Sequence, residues 1–380
     1  MSSEPRQVRG GAAPRTNREM LTPADYIDRA LSLAARGRGG TSPNPMVGAV
    51  VVSPDGVIVG QGFHERAGEP HAEVHALAAA GARARGATLY CTLEPCCHVG
   101  RTGPCVDRIV DAGISRVVAS SEDPNPKGGG KGFDFLRAHD IDVEVGPGAG
   151  DAARLNQPFF TLVRARRPFV ILKAATSLDG FIAAAPGRRT HLTSAAADRH
   201  AHTVRAEVDA IGVGSGTILA DDPLLTARGP FRARPLTRVI FDRRLRTPPL
   251  ARVLSTGNAG PVIIVTTAEA ADRAELRQPL EDRGVEIEVA AAGTLRAALE
   301  RVGARQIESL LLEGGAAVHA AAWAEDLVDF VRLYITPHVL GPEGVPLANG
   351  LPFSSLELID RRAETLGPDT LIEGYVHRPR

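Results

Sequence analysis

All four cysteines of this 380-residue chain fall between Cys91 and Cys105, and a His71-Ala72-Glu73 triplet stands upstream of them. A disulfide framework spreads its cysteines through a fold, so this clustering points to a metal or to catalysis in a reducing compartment. His71, Cys96 and Cys105 offer one imidazole and two thiolates. Zinc held by three such ligands keeps its fourth position for water, whose pKa then falls to roughly 7. Cys105 follows Pro104 at the expected start of a helix, where backbone amides lower a thiol's pKa. Glu73 cannot share a regular helix face with His71, but the irregular first turn of a helix lets both reach one metal. Glu73 is then a proton carrier and not a ligand. A closed, structural zinc would instead need Cys91, Cys97 or His98 as a fourth donor. Cys97 adjoins a ligand and is expected to point away, and Cys91 reads as an inward strand residue. A structural metal also has no use for an adjacent proton carrier.

Lys+Arg and Asp+Glu both total 44, so a net charge of zero gives no support to a nucleic-acid partner. Only Lys127, Lys131 and Lys173 are lysines, a bias read as compositional before functional. No run approaches the 18 or so apolar residues of a membrane span. Residues 1–20 carry Arg6, Arg9, Arg15 and Arg18 without an apolar stretch, which excludes a secretory signal and reads as a disordered tail. A cytoplasmic location and a homo-oligomer are expected.

The length fits two domains. Thr22-Pro23-Ala24-Asp25 offers a helix N-terminus, and apolar residues recur at helical spacing to Gly37. Strands are predicted at 46–52, 57–60, 87–93, 116–120 and 141–145, with helices at 71–80 and 104–112. Gly128-Gly129-Gly130 reads as a flexible loop. The alternation predicts an α/β domain over 21–147, its sheet covered on both faces. A linker over 148–167 follows, with room for a connecting helix at 151–164. A second α/β domain over 168–380 is predicted, with strands at 169–174, 210–213, 238–241, 262–266, 309–312 and 330–335 and helices at 194–208 and 316–324. Gly212-Val-Gly214-Ser-Gly216 is a weak dinucleotide signal. Leu310-Leu-Leu-Glu-Gly-Gly-Ala316 is a better one: a buried strand, two glycines, then a helix whose amides suit a phosphate.

His-x-Glu, then Pro-Cys and a second cysteine, is the signature of zinc deaminases, although here eight residues separate the cysteines instead of two. Five segments resemble one family: Thr41-Ser-Pro-Asn-Pro-Met-Val-Gly-Ala-Val50, Gly62-Phe-His64, Gly68-Glu-Pro-His-Ala-Glu73, Thr92 to Cys105, and Glu122-Asp-Pro-Asn-Pro126. It is the family of bifunctional riboflavin-biosynthesis deaminase/reductases, whose own cysteine spacing is the long one. The resemblance runs from about residue 22 to the C-terminus. It implies a cytidine-deaminase-like αβα domain in which Asn44, His64, His98, Arg101, Asp123 and Asn125 surround a phosphoribosyl pyrimidine. Arg101 suits a phosphate because guanidinium binds it bidentately.

In the second half, Leu172 to Gly180, Val204-Arg-Ala-Glu207 and Gly216 to Arg228 are similar to the family's reductase domain. The resemblance implies a dihydrofolate-reductase-like α/β fold that uses NADPH. It assigns the cofactor to Ala175, His191, Thr217, Asp221, Arg243 and the turn Gly315, Ala316, Ala317, Val318, His319, Ala320, Ala321. It assigns the substrate to Arg189, Arg205, Leu225, Arg228 and Glu313, with Lys173 as a further counter-charge. Arg188, Arg189 and Arg243 offer charge for the 2′-phosphate. Three positions depart from the family: His191 replaces a tryptophan, Arg189 a small hydroxyl residue and Arg243 a serine. The implied activity is hydrolytic deamination of 2,5-diamino-6-ribosylamino-4(3H)-pyrimidinone 5′-phosphate, followed by NADPH reduction of the ribosyl group to ribityl. The alternatives are a nucleoside or tRNA deaminase with an inactive or unrelated second domain, and a zinc-stabilised binding protein without activity.

Overall fold

A computed structural model of the chain describes residues 21–97, 103–126, 128–232, 234–347 and 357–378. The 1–20 tail, His98 and Arg101 lie outside them.

The first helix, α1 (Pro23–Ala34), starts as its sequence demands: Thr22 and Asp25 form a reciprocal capping box. Its buried face, Tyr26, Ile27, Ala30, Leu33 and Ala34, packs on one side of a five-stranded sheet. The strands are β1 (Gly48–Val52), β2 (Ile58–Phe63), β3 (Thr88–Cys91), β4 (Arg116–Ala119) and β5 (Asp142–Val145), in the order β2-β1-β3-β4-β5. β1 runs antiparallel to both neighbours, and β3, β4 and β5 are parallel. Alternation along β1 sends Val50 and Val52 toward α1, and Ala49 and Val51 to the other face. There α2 (Ala72–Ala80), α3 (Cys105–Asp111) and α4 (Lys131–Ala138) complete an αβα sandwich. Gly48 is required because a Cβ would strike the backbone of α1 at Ala30.

The triple glycine is not a loose loop. Gly130, at φ 76°, is the N-cap of α4, and the amides of Gly130 and Gly132 are tied to a buried carboxylate described below. The stretch between domains forms two helices and not one, α5 (Ala149–Leu155) and α6 (Gln157–Ala165), broken at Asn156. Pro158 has no N–H to continue the earlier helix, but suits the first turn of a new one. Asn156 exchanges two hydrogen bonds with the Met46 backbone, at 2.8 and 2.9 Å, which fastens the junction to the first domain.

The second domain is built on nine strands: β6 (Phe169–Thr176), β8 (Ala210–Gly214), β9 (Thr237–Phe241), β10 (Val262–Thr266), β11 (Val285–Val289), β12 (Ser309–Leu312), β13 (Phe330–Ile335), β15 (Ile359–Leu366) and β16 (Asp369–Tyr375). A short pair, β7 (Phe181–Ala183) with β14 (Val345–Pro346), lies apart. The sheet order is β11-β10-β9-β8-β12-β6-β13-β16-β15. It is parallel from β11 to β13, and its last two strands are antiparallel. Helices α7 (Ala195–Glu207), α8 (Ser215–Asp221), α9 (Ala268–Ala271), α10 (Ala274–Glu281), α11 (Leu295–Ala304) and α12 (Ala316–Ala324) connect the parallel strands. Two apolar clusters, one on each face, cover the parallel part of the sheet, as parallel sheets require.

A buried polar knot joins the domains. Asp209 accepts hydrogen bonds from Ser42 Oγ and from the amides of Glu308 and Ser309, and pairs with Arg234. Arg234 also donates to the carbonyls of Gly39 and Ser42 in the first domain.

Candidate active sites

His71 is the N-cap of α2, with extended backbone, and Glu73 lies in that helix's first turn. Cys105 opens α3, and its amide donates to Cys96 Sγ at 3.4 Å. His71 Nδ1 lies 3.4 Å from Cys96 Sγ and 3.3 Å from Cys105 Sγ, and the three donor atoms are all within 4.8 Å of one another. Tetrahedral zinc with its usual bond lengths separates such nitrogen and sulfur ligands by about 3.5 Å. The donors fit that metal. Hydrogen bonds from Cys105 and His71 pull the Cys96 thiol well below its ordinary range, while the same pairing with Cys96 pushes the Cys105 thiol up.

Glu73 is buried, and its Oε2 has no hydrogen-bond partner. Burial, aided by the Cys96 charge, pushes its carboxyl up to about 7. A carboxyl poised near neutrality and free at one oxygen suits proton transfer. Cys91 is fully buried in the sheet core and donates to the Val118 carbonyl at 3.8 Å.

A cavity of about 1000 Å³ is lined by His71, Glu73 and Cys96 and takes in Asn44, His64, Asp123 and Asn125. His64 Nδ1 faces the Pro70 carbonyl at 3.1 Å, and its Nε2 meets Asn44 Nδ2 at the same distance. Donation to Pro70 leaves Nε2 as the acceptor for Asn44, and burial lowers the pKa of His64, so the ring is neutral. No local sequence signal marks Glu94, yet it lines the same cavity. Its buried carboxylate accepts from the amides of Asp123, Gly130, Gly132 and Phe133 at 2.8–3.3 Å, tying Asp123 to the start of α4.

The second domain presents two polar cavities near the C-terminal ends of its parallel strands, where α/β sheets hold ligands. One, of about 240 Å³, brings together Arg189, Arg205, Leu225, Arg228 and Glu313 with Thr217 and Asp221. Arg205 grips Glu313 bidentately, at 2.6 Å for each bond. Burial alone would raise the Glu313 carboxyl, but the Arg205 charge and hydrogen bonds hold it at about 2. Lys173 lies behind, its pKa lowered by burial, with Nζ 5.3 Å from the centre of the Tyr334 ring.

The other cavity, about 580 Å³, is lined by Arg243, Arg244, Arg246 and Arg273. Gly315 turns β12 into α12 at φ 77°, and α12 has no side-chain cap, which leaves its first amides for a phosphate. A Cβ on Gly314 would come within 2.9 Å of Thr217 Oγ1, so this turn stays narrow only as glycine. The cradle fits a dinucleotide phosphate. His319 is buried with both ring nitrogens unpartnered, and burial lowers its pKa to about 4. Ala175 is half-buried against the small Tyr334 and Leu371 cluster. His191 lines neither cavity: it is exposed, with Nε2 3.4 Å from Asp198.

Two family models match the chain: the cytidine and deoxycytidylate deaminase zinc-binding region over residues 21–121, and the RibD C-terminal domain over 168–372. A riboflavin biosynthesis protein RibD from Aquifex aeolicus is 41% identical over 92% of this chain and 97% of its own length. The Escherichia coli protein of that name is also 41% identical, over 84% of this chain and 88% of its own. The chain belongs to the RibD family. Among solved structures, Acinetobacter baumannii RibD superposes with a TM-score of 0.82 at 36% identity, covering 93% of this chain and 98% of that one. A Thermotoga maritima structure, described as a diaminohydroxyphosphoribosylaminopyrimidine deaminase/5-amino-6-(5-phosphoribosylamino)uracil reductase, gives a TM-score of 0.79 at 34% identity, covering 94% and 99%.

RibD membership spans both domains, so the chain is a bifunctional enzyme of riboflavin biosynthesis, a zinc-dependent hydrolytic deaminase joined to an NADPH-dependent reductase. This sets aside the deaminase with an unrelated second domain. No helix among the described residues is long and apolar enough to cross a membrane.

Proposed function

We propose that His71, Cys96 and Cys105 hold the zinc, that Glu73 moves the protons, and that the first domain deaminates 2,5-diamino-6-ribosylamino-4(3H)-pyrimidinone 5′-phosphate. The zinc, when bound, supplies a water acidic enough to attack at neutral pH. Glu73 takes a proton from the attacking water, passes it to the ring nitrogen beside the reacting carbon, and delivers a proton to the departing ammonia. His64, neutral and held by Asn44 and Pro70, orients the pyrimidine without adding charge, and the Glu94-braced Asp123 and Asn125 bound the other side.

The second domain then converts ribosyl to ribityl. NADPH, when bound, supplies the hydride to C1′. Thr217, Asp221 and the Gly315–Ala321 turn hold the cofactor at the α12 N-terminus, with Ala175 on β6 beside it. Arg243, with Arg244 and Arg273 in the same cavity, takes the 2′-phosphate. Arg189 lines the smaller cavity, and with Arg205 and Arg228 it counters the substrate's phosphate, while Leu225 packs against the sugar. Exposed Leu178 and Val339 flank a backbone hydrogen bond from Leu178 to His338 and give apolar surface for a homo-oligomer, which sedimentation would measure.

The observation that carries this reading is the gathering of three zinc donors within 4.8 Å of one another beside an unpartnered, near-neutral carboxyl, with His71, Cys96 and Glu73 lining one cavity. Purified protein given the diaminopyrimidine should release ammonia without NADPH, and should oxidise NADPH only after that release. NADPH oxidation before ammonia appears would reverse the order of steps. No ammonia from zinc-loaded protein would defeat the deaminase assignment.

A further inference from the structure

The larger cavity of the second domain takes three of its four arginines from one short stretch, Arg243-Arg-Leu-Arg246, directly after β9. Arginines so close in sequence repel one another, and an open loop would spread them into water. Here the residue before them folds the stretch back on itself. Asp242 is fully buried and continues the sheet, its amide donating to the Val265 carbonyl of β10 at 3.0 Å. Its carboxylate accepts from the amide and the hydroxyl of Thr247, at 2.7 and 2.8 Å, and more weakly from the amide of Arg244 at 3.4 Å. Its carbonyl accepts from the amide of Leu245 at 3.2 Å. This is the Asx-type turn that aspartate favours, closed at both ends.

The closure sets where the side chains go. Leu245 takes the left-handed backbone, φ 50°, which is unfavourable for a bulky side chain, and is buried in an apolar cluster of the sheet. With Leu245 turned inward, Arg244 and Arg246 line the cavity, and Arg246 donates to the buried Ser215 hydroxyl at the start of α8, at 2.8 Å. Arg243 is held from the other side, where the hydroxyl of Thr267, the N-cap of α9, donates to its carbonyl at 3.0 Å. Arg273 completes the set, and Glu269 lines the same space. Asp242 makes no ion pair among the described residues, so its carboxylate holds a backbone shape and does not neutralise a particular arginine.

We infer that Asp242 is a positioning residue for the choice of cofactor. By closing the 242–247 turn it directs Arg243, Arg244 and Arg246 into one cavity, which then prefers an adenosine carrying a 2′-phosphate to one without. Guanidinium groups fixed before the ligand arrives bind it without a further ordering cost. The inference rests on the NADPH reading of this cavity, and it needs no contact between Asp242 and the cofactor.

The test titrates zinc-loaded, full-length protein with adenosine 2′,5′-bisphosphate and with adenosine 5′-monophosphate by calorimetry, which reads binding apart from turnover. Wild type should prefer the bisphosphate. Asp242→Ala should reduce that preference by about tenfold, the order of one hydrogen bond to a charged group, with affinity for the monophosphate unchanged. Asp242→Asn keeps one acceptor oxygen for Thr247 and should retain more of the preference. Thr247→Val removes only the hydroxyl and should shift the preference in the same direction by less, so these two milder variants decide the matter if the alanine variant does not fold. Equal losses for both ligands, or a wild-type preference in every variant that folds, overturn the inference. A wild type that binds the two fragments equally would mean that this cavity does not hold the 2′-phosphate, a separate result that defeats the cofactor reading and the inference with it.

Discussion

The deaminase site is assembled from short, contiguous motifs, whereas the reductase site draws single residues from β6, α7, α8, β12 and the loops between them. The difference follows from what each must hold. A metal accepts few donor types at fixed distances, so His71, Cys96 and Cys105 announce themselves by chemistry. A dinucleotide is held by backbone shape and dispersed charge, and neither Thr217 nor Gly315 differs in type from any other turn residue. The first site should therefore fail abruptly when a single atom is changed, and the second should degrade by degrees.

The sharpest break is expected at the metal. Cys96→Ser and Cys105→Ser should each lose the roughly one zinc per chain and abolish deamination, while reduction of an already deaminated substrate continues. Cys91→Ser should keep the metal, because Cys91 donates to Val118 inside the core. Metal analysis with separate assays of the two half-reactions checks this. Zinc retained in the Cys105 variant but lost in the Cys91 variant would overturn the ligand set.

Next in size is Glu73→Gln, which keeps shape and hydrogen-bonding capacity but cannot carry the proton. Deamination should fall by at least ~10²-fold with zinc and reduction intact. Deamination near the wild-type rate would assign proton transfer elsewhere.

The reductase counterpart is milder. Arg205→Lys keeps the charge beside Glu313 but gives up the bidentate grip, and the two side chains are not interchangeable at such a site. Reduction should weaken by about tenfold, equivalent to about 1.4 kcal/mol, with deamination unchanged. An equal loss in both half-reactions would mean that the pair supports the whole chain and not one site.

Much of this is legible in the sequence. The capping box at Thr22 and Asp25, the strand–helix alternation and the zinc donors are local patterns, and they form as the residues demand. What was not legible depends on partners distant in sequence. β15 is an edge strand whose residues from Asp360 to Thr365 are all exposed, so no apolar alternation marks it. β11 is a different case: Val285-Glu-Ile-Glu-Val289 alternates and follows Gly284 at φ 78°, so its local pattern is present in the sequence. The triple glycine reads as loose because the Glu94 carboxylate that orders it lies some 35 residues upstream. His191 falls in a segment that matches the family, yet it sits exposed beside Asp198. Family position alone does not say which way a loop residue faces.

The smallest expected effect lies where the two regions meet. Glu308 is buried beside Asp209 in the knot that joins the domains, with Ser42 and Arg234 as its other polar neighbours. Burial first, and the Asp209 charge second, push its carboxyl up to about 8. An unfolded glutamate loses its proton near pH 4.3. Between those values the folded chain binds a proton that the unfolded chain does not, so stability falls as pH rises. The contribution is complete below the ordinary glutamate range and is lost as pH climbs through about 8. Glu308→Gln imitates the protonated side chain at every pH. Melting temperatures of wild type and variant should agree near pH 5 and diverge by pH 8.5, the wild type lower by about 2–5 °C. A difference that does not change with pH, or a wild type that gains stability as pH rises, would mean that Glu308 is ionised in the folded chain. The knot would then be a fully charged cluster balanced by Arg234, and raising the pH would leave the domain junction intact.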